Sequence, residues 1–379
     1  MKRKVISNRL SVISKDTEKK VISDQLEEDP LPAIRSPLSV KDLTVNGQRS
    51  TDNGLLLKTE NFKLITDDFS TPHLDTKIHL AGLELKNPVM VASGTFGYGK
   101  EYARFVDLNQ LGAIVVKGIS LYPMDGNPPP RLAETPAGLL NSIGLQNVGL
   151  EAFISSKLPF LEGVDSLVIV NILGHTIEEY VALAEELSKH SRVDALEINI
   201  SCPNVDKGGL AFGTDRQSTF DVVQAVREVT HLPLITKLSP NVTNIAAIAQ
   251  SAQEAGTDAI SLINTVLGMA IDIHQRKPAL ARIVGGLSGP AIKPIAVRMV
   301  WQVSQAVDVP IIGMGGIMNA EDAIEFFLAG ASAISIGTAH FVDPETPIKV
   351  LKGIEEYMTR YQFHKITDII GNLIIEGRE

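Results

Sequence analysis

The chain has 379 residues, 44% of them hydrophobic and 21% charged, the make-up of a globular protein able to bury a large core. Its formal net charge of −9 argues against non-specific nucleic-acid binding, and no apolar run reaches the ~18 residues that a membrane helix needs. One cysteine excludes an intrachain disulfide, a zinc site made only of cysteines and a self-supplied iron–sulfur cluster, which takes about four thiolates.

Residues 1–75 hold 12 Lys/Arg and 12 Asp/Glu, so the net charge falls entirely on the remainder. This segment is polar, with scattered prolines (Pro30, Pro32, Pro37) and no sustained period, and it reads as a disordered extension. "VIS" recurs at 5–7, 12–14 and 21–23, too short and irregular for a structural repeat. A basic, acid-free start faintly resembles a transit peptide, but Asp16 and Glu18 end that pattern.

From 76 onward the text changes. Short apolar runs end in Gly, Ser, Asn or Pro: "PVMVASG" (88–94), "AIVVKG" (113–118), "LVIVNIL" (167–173) and "ALEINISC" (195–202). "PLITKLSP" (233–240), "AISLINT" (259–265), "PIIGMGG" (310–316) and "AISIGT" (333–338) follow. Such continuous apolar character suits strands buried on both faces of a parallel sheet. Amphipathic helices are predicted at 177–189, 218–229, 242–256 and 290–307. Eight strands with intervening helices predict an α/β fold, a (β/α)₈ TIM barrel spanning 76–379. A doubly wound sheet competes, but "SGTFGYG" only loosely echoes its dinucleotide-binding turn. The 119–165 stretch is too long for one connection and reads as an inserted loop or hairpin over the active face.

Chemistry gathers at the carboxyl ends of barrel strands. Those ends supply Ser93, Lys117, Asn171, Asn199, Cys202, Lys237, Asn264 and Thr265, a rim of amides and two cations suited to a flat ligand rich in carbonyls and N–H groups. Gly315 and Gly316 after the seventh strand and Gly337 and Thr338 after the eighth stand where barrels cradle a phosphate, with Gly289 offering a further N–H. No metal site is expected.

"VKG", "NSIGLQN", "INISCPN", "TKLSPNVT", "GGLSGPAIKPIAVRMV" and "IIGMGGI" occur in this order. Together they resemble the class 1 dihydroorotate dehydrogenases, over about residues 76–372. "NSIGLQN" and "GGLAFGTDR" are most similar to class 1B, the NAD-linked catalytic subunit. Class 1A, which uses fumarate, is the nearer alternative, and a dihydropyrimidine dehydrogenase-like FMN enzyme a further one. A non-catalytic barrel binding a phosphate ligand is the rival from another class.

The resemblance implies FMN-dependent oxidation of (S)-dihydroorotate to orotate in pyrimidine biosynthesis. It makes Cys202 the base that takes the C5 proton. It assigns Lys117, Asn141, Ser142, Ile143, Gly144, Leu145, Asn199, Asn264 and Thr265 to the substrate. It assigns Ser93, Lys117, Gly118, Asn171, Asn199, Lys237, Ile263, Gly289, Gly315, Gly316, Gly337 and Thr338 to FMN. The glycine-rich "NVDKGGLAFGTDR" after Cys202 reads as a mobile lid. Class 1B further implies a partner subunit carrying FAD and a [2Fe–2S] cluster, a homodimer within a heterotetramer, and a cytoplasmic location with no membrane or nucleic-acid partner.

Overall fold

The computed structural model describes residues 74–201, 203–204 and 210–375. The expected extension, apart from Leu74 and Asp75, lies outside them, as do Cys202 and the 205–209 part of the expected lid.

Eight parallel strands close into a barrel: β1 (Val89–Val91), β2 (Ala113–Ile119), β3 (Leu167–Ile172), β4 (Ala195–Asn199), β5 (Leu234–Lys237), β6 (Ala259–Leu262), β7 (Ile311–Met314) and β8 (Ala333–Ile336). All eight coincide with the apolar runs, and nearly every residue in them is buried. Closure of β8 onto β1, with Ile336 opposite Val91, leaves no edge and rules out the doubly wound sheet.

The predicted helices occur as Ile177–Leu187, Arg216–Val229, Ile245–Glu254 and Lys293–Ser304. The first three start at Thr176, Asp215 and Asn244, whose side chains accept backbone N–H bonds, as does Asn319 ahead of Ala320–Leu328. These caps fix where each βα loop ends, and hence the height of the rim.

A four-stranded antiparallel crown sheet is built from two excursions. The connection after β2 contributes Leu132–Thr135 and Gly138–Asn141. The connection after β6 contributes Val266–Met269 and Val284–Ser288. Pairing of Gly286 with Asn141 and Ser288 with Leu139 joins them. Most of "GGLSGP" (285–290) is thus strand, and Gly289, expected to offer an N–H, follows it at φ 90°. Among the described residues, no helix is long and apolar enough to cross a membrane.

Candidate active site

One cavity of about 680 Å³ opens at the carboxyl ends of the barrel strands beneath the crown, a volume typical of small-molecule sites. All nineteen expected site residues that the structure describes line it. β1, β2, β3, β4 and β5 bring Ser93, Lys117 with Gly118, Asn171, Asn199 and Lys237. The segment after β6 brings Ile263, Asn264 and Thr265. The crown brings Asn141, and the loop beyond it Ser142, Ile143, Gly144 and Leu145. Gly289, Gly315, Gly316, Gly337 and Thr338 complete the wall. Cys202 lies outside the described residues, but its chain neighbour Ser201 lines the cavity.

The two lysines are held differently. The β2–β3 register shifts between Val116 and Ile119, so Lys117 and Gly118 form an irregularity of the kind that re-aims side chains beside active sites. Burial, then Lys237 and Arg131, lower the Lys117 pKa below its ordinary value. Desolvation and like charge both disfavour its cationic form, so an anionic ligand would relieve it. Lys237, 6% exposed, lies 3.2 Å from Ser93 Oγ and 3.9 Å from Glu197 Oε2. A Cβ on Gly118 would sit 2.6 Å from Asn171 Oδ1, so glycine is required for that amide to approach.

The asparagines converge near the start of the expected lid. Asn264 Nδ2 donates to Ser201 Oγ at 3.0 Å and to Asn199 Oδ1 at 3.5 Å. Asn264 Oδ1 accepts from Thr265 N at 2.7 Å, which orients the amide. Asn141 Nδ2 donates to Gly286 O at 3.1 Å, fastening the crown hairpin. Positive φ at Gly144 (75°) and Leu145 (59°) bends the loop after Asn141.

The opposite end suits a phosphate. Gly315 and Gly316 have φ of 125° and 81°, and no N–H of Gly315, Gly316, Gly337 or Thr338 donates to another described residue. Lys293 bridges Asp322 at 2.7 Å, while Asp322 accepts from Met318 N at 2.8 Å, which pins the loop. Thr338 Oγ1 donates to Ser288 Oγ at 2.7 Å and links β8 to the crown. The residues present fit FMN. The free N–H groups match a phosphate, the open space at Gly94 (nothing within 4 Å of a Cβ) leaves room for a ring, and the buried, unpartnered Ser335 Oγ lines the same wall.

Sequence reasoning passed over Glu197, Ser201, Ser288 and Ser335. Glu197 carried a signal: a charged residue inside an apolar run, two positions before Asn199 and therefore on the same face.

Fold and site together define a (β/α)₈ barrel whose mouth holds an amide-lined cavity with two lysines. The dihydroorotate dehydrogenase family model matches residues 74–358. The chain belongs to that family. It is 57% identical over 300 residues to a protein of Geotalea uraniireducens named dihydroorotate dehydrogenase B (NAD(+)), catalytic subunit, covering 79% of this chain and 98% of the relative. It is 58% identical over 296 residues to a protein of the same name from Alkaliphilus oremlandii, covering 78% and 98%. The crystal structure of a dihydroorotate dehydrogenase with ferulenol from Eimeria tenella shares the fold at TM-score 0.66 and 22% identity, covering 80% of this chain and 90% of that one.

Proposed function

We propose that this chain is the catalytic subunit of an NAD-linked dihydroorotate dehydrogenase, which removes a proton from C5 and a hydride from C6 of (S)-dihydroorotate to give orotate. The observation that carries this reading is the convergence of Lys117, Asn141, Asn199, Asn264 and Thr265 in one cavity with a phosphate-ready glycine wall, in a chain 57% identical to relatives bearing that name.

FMN, when bound, supplies the acceptor for the C6 hydride. Gly315, Gly316, Gly337 and Thr338 would hold its phosphate through backbone N–H groups, with Gly289 offering a further one. Ser93, Asn171, Ile263 and Lys237 would contact its ring, where the Lys237 ammonium would offset negative charge. Lys117 faces the substrate carboxylate, and the Asn141, Asn199 and Asn264 amides donate to and accept from the ureido edge. Cys202 Sγ takes the C5 proton; a thiol of ordinary pKa ~8.5 is near enough to neutrality for this work. What supports this assignment is that its chain neighbour Ser201 lines the cavity and accepts from Asn264 Nδ2.

With NAD as oxidant, a partner subunit carrying FAD and a [2Fe–2S] cluster would relay the electrons, because the single cysteine of this chain cannot hold such a cluster. The exposed apolar Leu267, Met269, Ile271 and Ile273 in and beside the crown's edge strand offer surface for a partner. Residues 76–379 form the catalytic domain, residues 1–75 an extension, and the assembly is a cytoplasmic heterotetramer around a homodimer.

Anaerobic addition of dihydroorotate to the FMN-loaded chain should bleach the flavin absorbance, and an unchanged spectrum would defeat the reading. NAD reduction should require the partner; full-rate reduction by the chain alone would remove the partner from the scheme.

A further inference from the structure

Glu197 sits in β4, 1% exposed, and does not itself line the cavity. Its carboxylate reaches side chains on three other strands, the adjacent β3 and β5 and, beyond β5, β6. Oε2 accepts from Asn171 Nδ2 of β3 at 2.5 Å and faces Lys237 Nζ of β5 at 3.9 Å, while Oε1 accepts from Ser261 Oγ of β6 at 2.8 Å. Both partners of Oε2 can only donate at that contact, so the geometry requires an acceptor there. Two of the three partners, Asn171 and Lys237, present their other faces to the cavity.

We infer that Glu197 is a positioning residue that orients Asn171 and Lys237, and that its negative charge restrains the preference of the cavity for reduced FMN. This rests on the reading that FMN occupies the cavity against Lys237. Reduction adds negative charge to the ring, which a lysine favours. A carboxylate 3.9 Å behind that lysine cancels part of its field, and in a buried site little solvent screens the pair. Deleting the charge while keeping the shape should therefore favour the reduced cofactor.

Glu197→Gln does this. Its Oε1 can take the Oε2 position toward Asn171 and Lys237, and its amide can donate to Ser261 Oγ, whose hydroxyl turns to accept. The measurement is the ratio of dissociation constants for oxidised and reduced FMN, read from binding titrations and from the midpoint potential of the bound flavin. Glu197→Gln should raise that ratio on the order of tenfold, about 30 mV upward for a two-electron couple. Ser261→Ala and Glu197→Asp, which keep the charge, should stay within about twofold of the parent.

A shift below twofold in Glu197→Gln overturns the inference, as does an equal shift in Ser261→Ala, which would make packing the cause. Should Glu197→Gln not fold, Glu197→Asp still decides: a tenfold change with the charge retained overturns it, and a parental ratio supports it. Failure of the parent chain to bind FMN would instead sink the cofactor reading, an outcome visible before any variant is made.

Discussion

Asn264 Nδ2 lies 3.0 Å from Ser201 Oγ, joining the segment after β6 to the residue beside Cys202. The same amide reaches Asn199 Oδ1, so one side chain spans the exits of β4 and β6. Asn264→Ala should loosen this link and remove a donor and acceptor from the substrate edge. A loss of about 10- to 100-fold in kcat/KM for dihydroorotate is expected from steady-state kinetics. Parental kinetics would take Asn264 out of the substrate site.

Cys202→Ala should keep FMN affinity within about twofold, because the glycine wall and Lys237 are untouched, yet lose about 10²- to 10⁴-fold in turnover. Rapid-mixing measurement of flavin bleaching isolates this step from later electron transfer. A variant that bleaches at the parental rate would transfer the base role to another group.

Burial and the nearby Lys237 lower the Lys117 pKa, so its charge is lost at a lower pH than that of a free lysine. An anionic substrate should bind the cationic form and restore that charge. KM for dihydroorotate should therefore rise as pH climbs through the lowered value, below the ordinary 10.5, with kcat changing less. Lys117→Met should raise KM at neutral pH and flatten the alkaline rise. A pH-independent KM up to about 10, near the ordinary lysine value, would remove Lys117 from the substrate carboxylate.

Gly316→Ala tests the phosphate wall. At φ 81° an added Cβ would meet Lys293 Cβ at 2.8 Å and Gly289 O at 2.9 Å, so the loop must shift. A rise of about tenfold or more in the FMN dissociation constant is expected by fluorescence titration. Unchanged affinity would place the phosphate elsewhere.

His340 lies just beyond this wall, packed among Phe96 and Tyr102, with Nε2 2.8 Å from Ile336 O. Burial pushes its pKa down to about 4. The unfolded chain, near 6.5, binds the proton more readily. The stability from neutral His340 is thus full above pH 6.5 and lost as pH falls toward 4, on the order of 3 kcal/mol. Chemical denaturation at about pH 7 and pH 4.5, on either side of the ordinary histidine value, should show this drop, and His340→Gln should reduce it. Equal slopes in both proteins would count against the buried histidine as its source.

Much of the barrel was legible because strands buried on both faces need long apolar runs, and all eight were found where those runs stand. The rim was legible for a related reason: polar residues ending apolar strands, such as Lys237 and Asn264, must emerge at one end of a parallel barrel. Glu197 was missed because an acidic residue inside an apolar run has meaning only once its neighbours are known. Asn171, Lys237 and Ser261 lie on three other strands. The crown was half seen: the excursion at 119–165 was expected, but its pairing with Val284–Ser288 was not. That pairing is a contact between segments some 145 residues apart, which no local pattern encodes.

By itself the sequence determined the strand count, the places of four helices to within about three residues at their starts and the order in which amides, lysines and glycines arrive at the rim, since period and breakers are local properties of a chain. Tertiary structure alone decided that the sheet closes, that two distant excursions roof one cavity, and that a buried carboxylate stands behind a cavity lysine. These depend on which strands become neighbours, and closure of the barrel sets that for all eight at once.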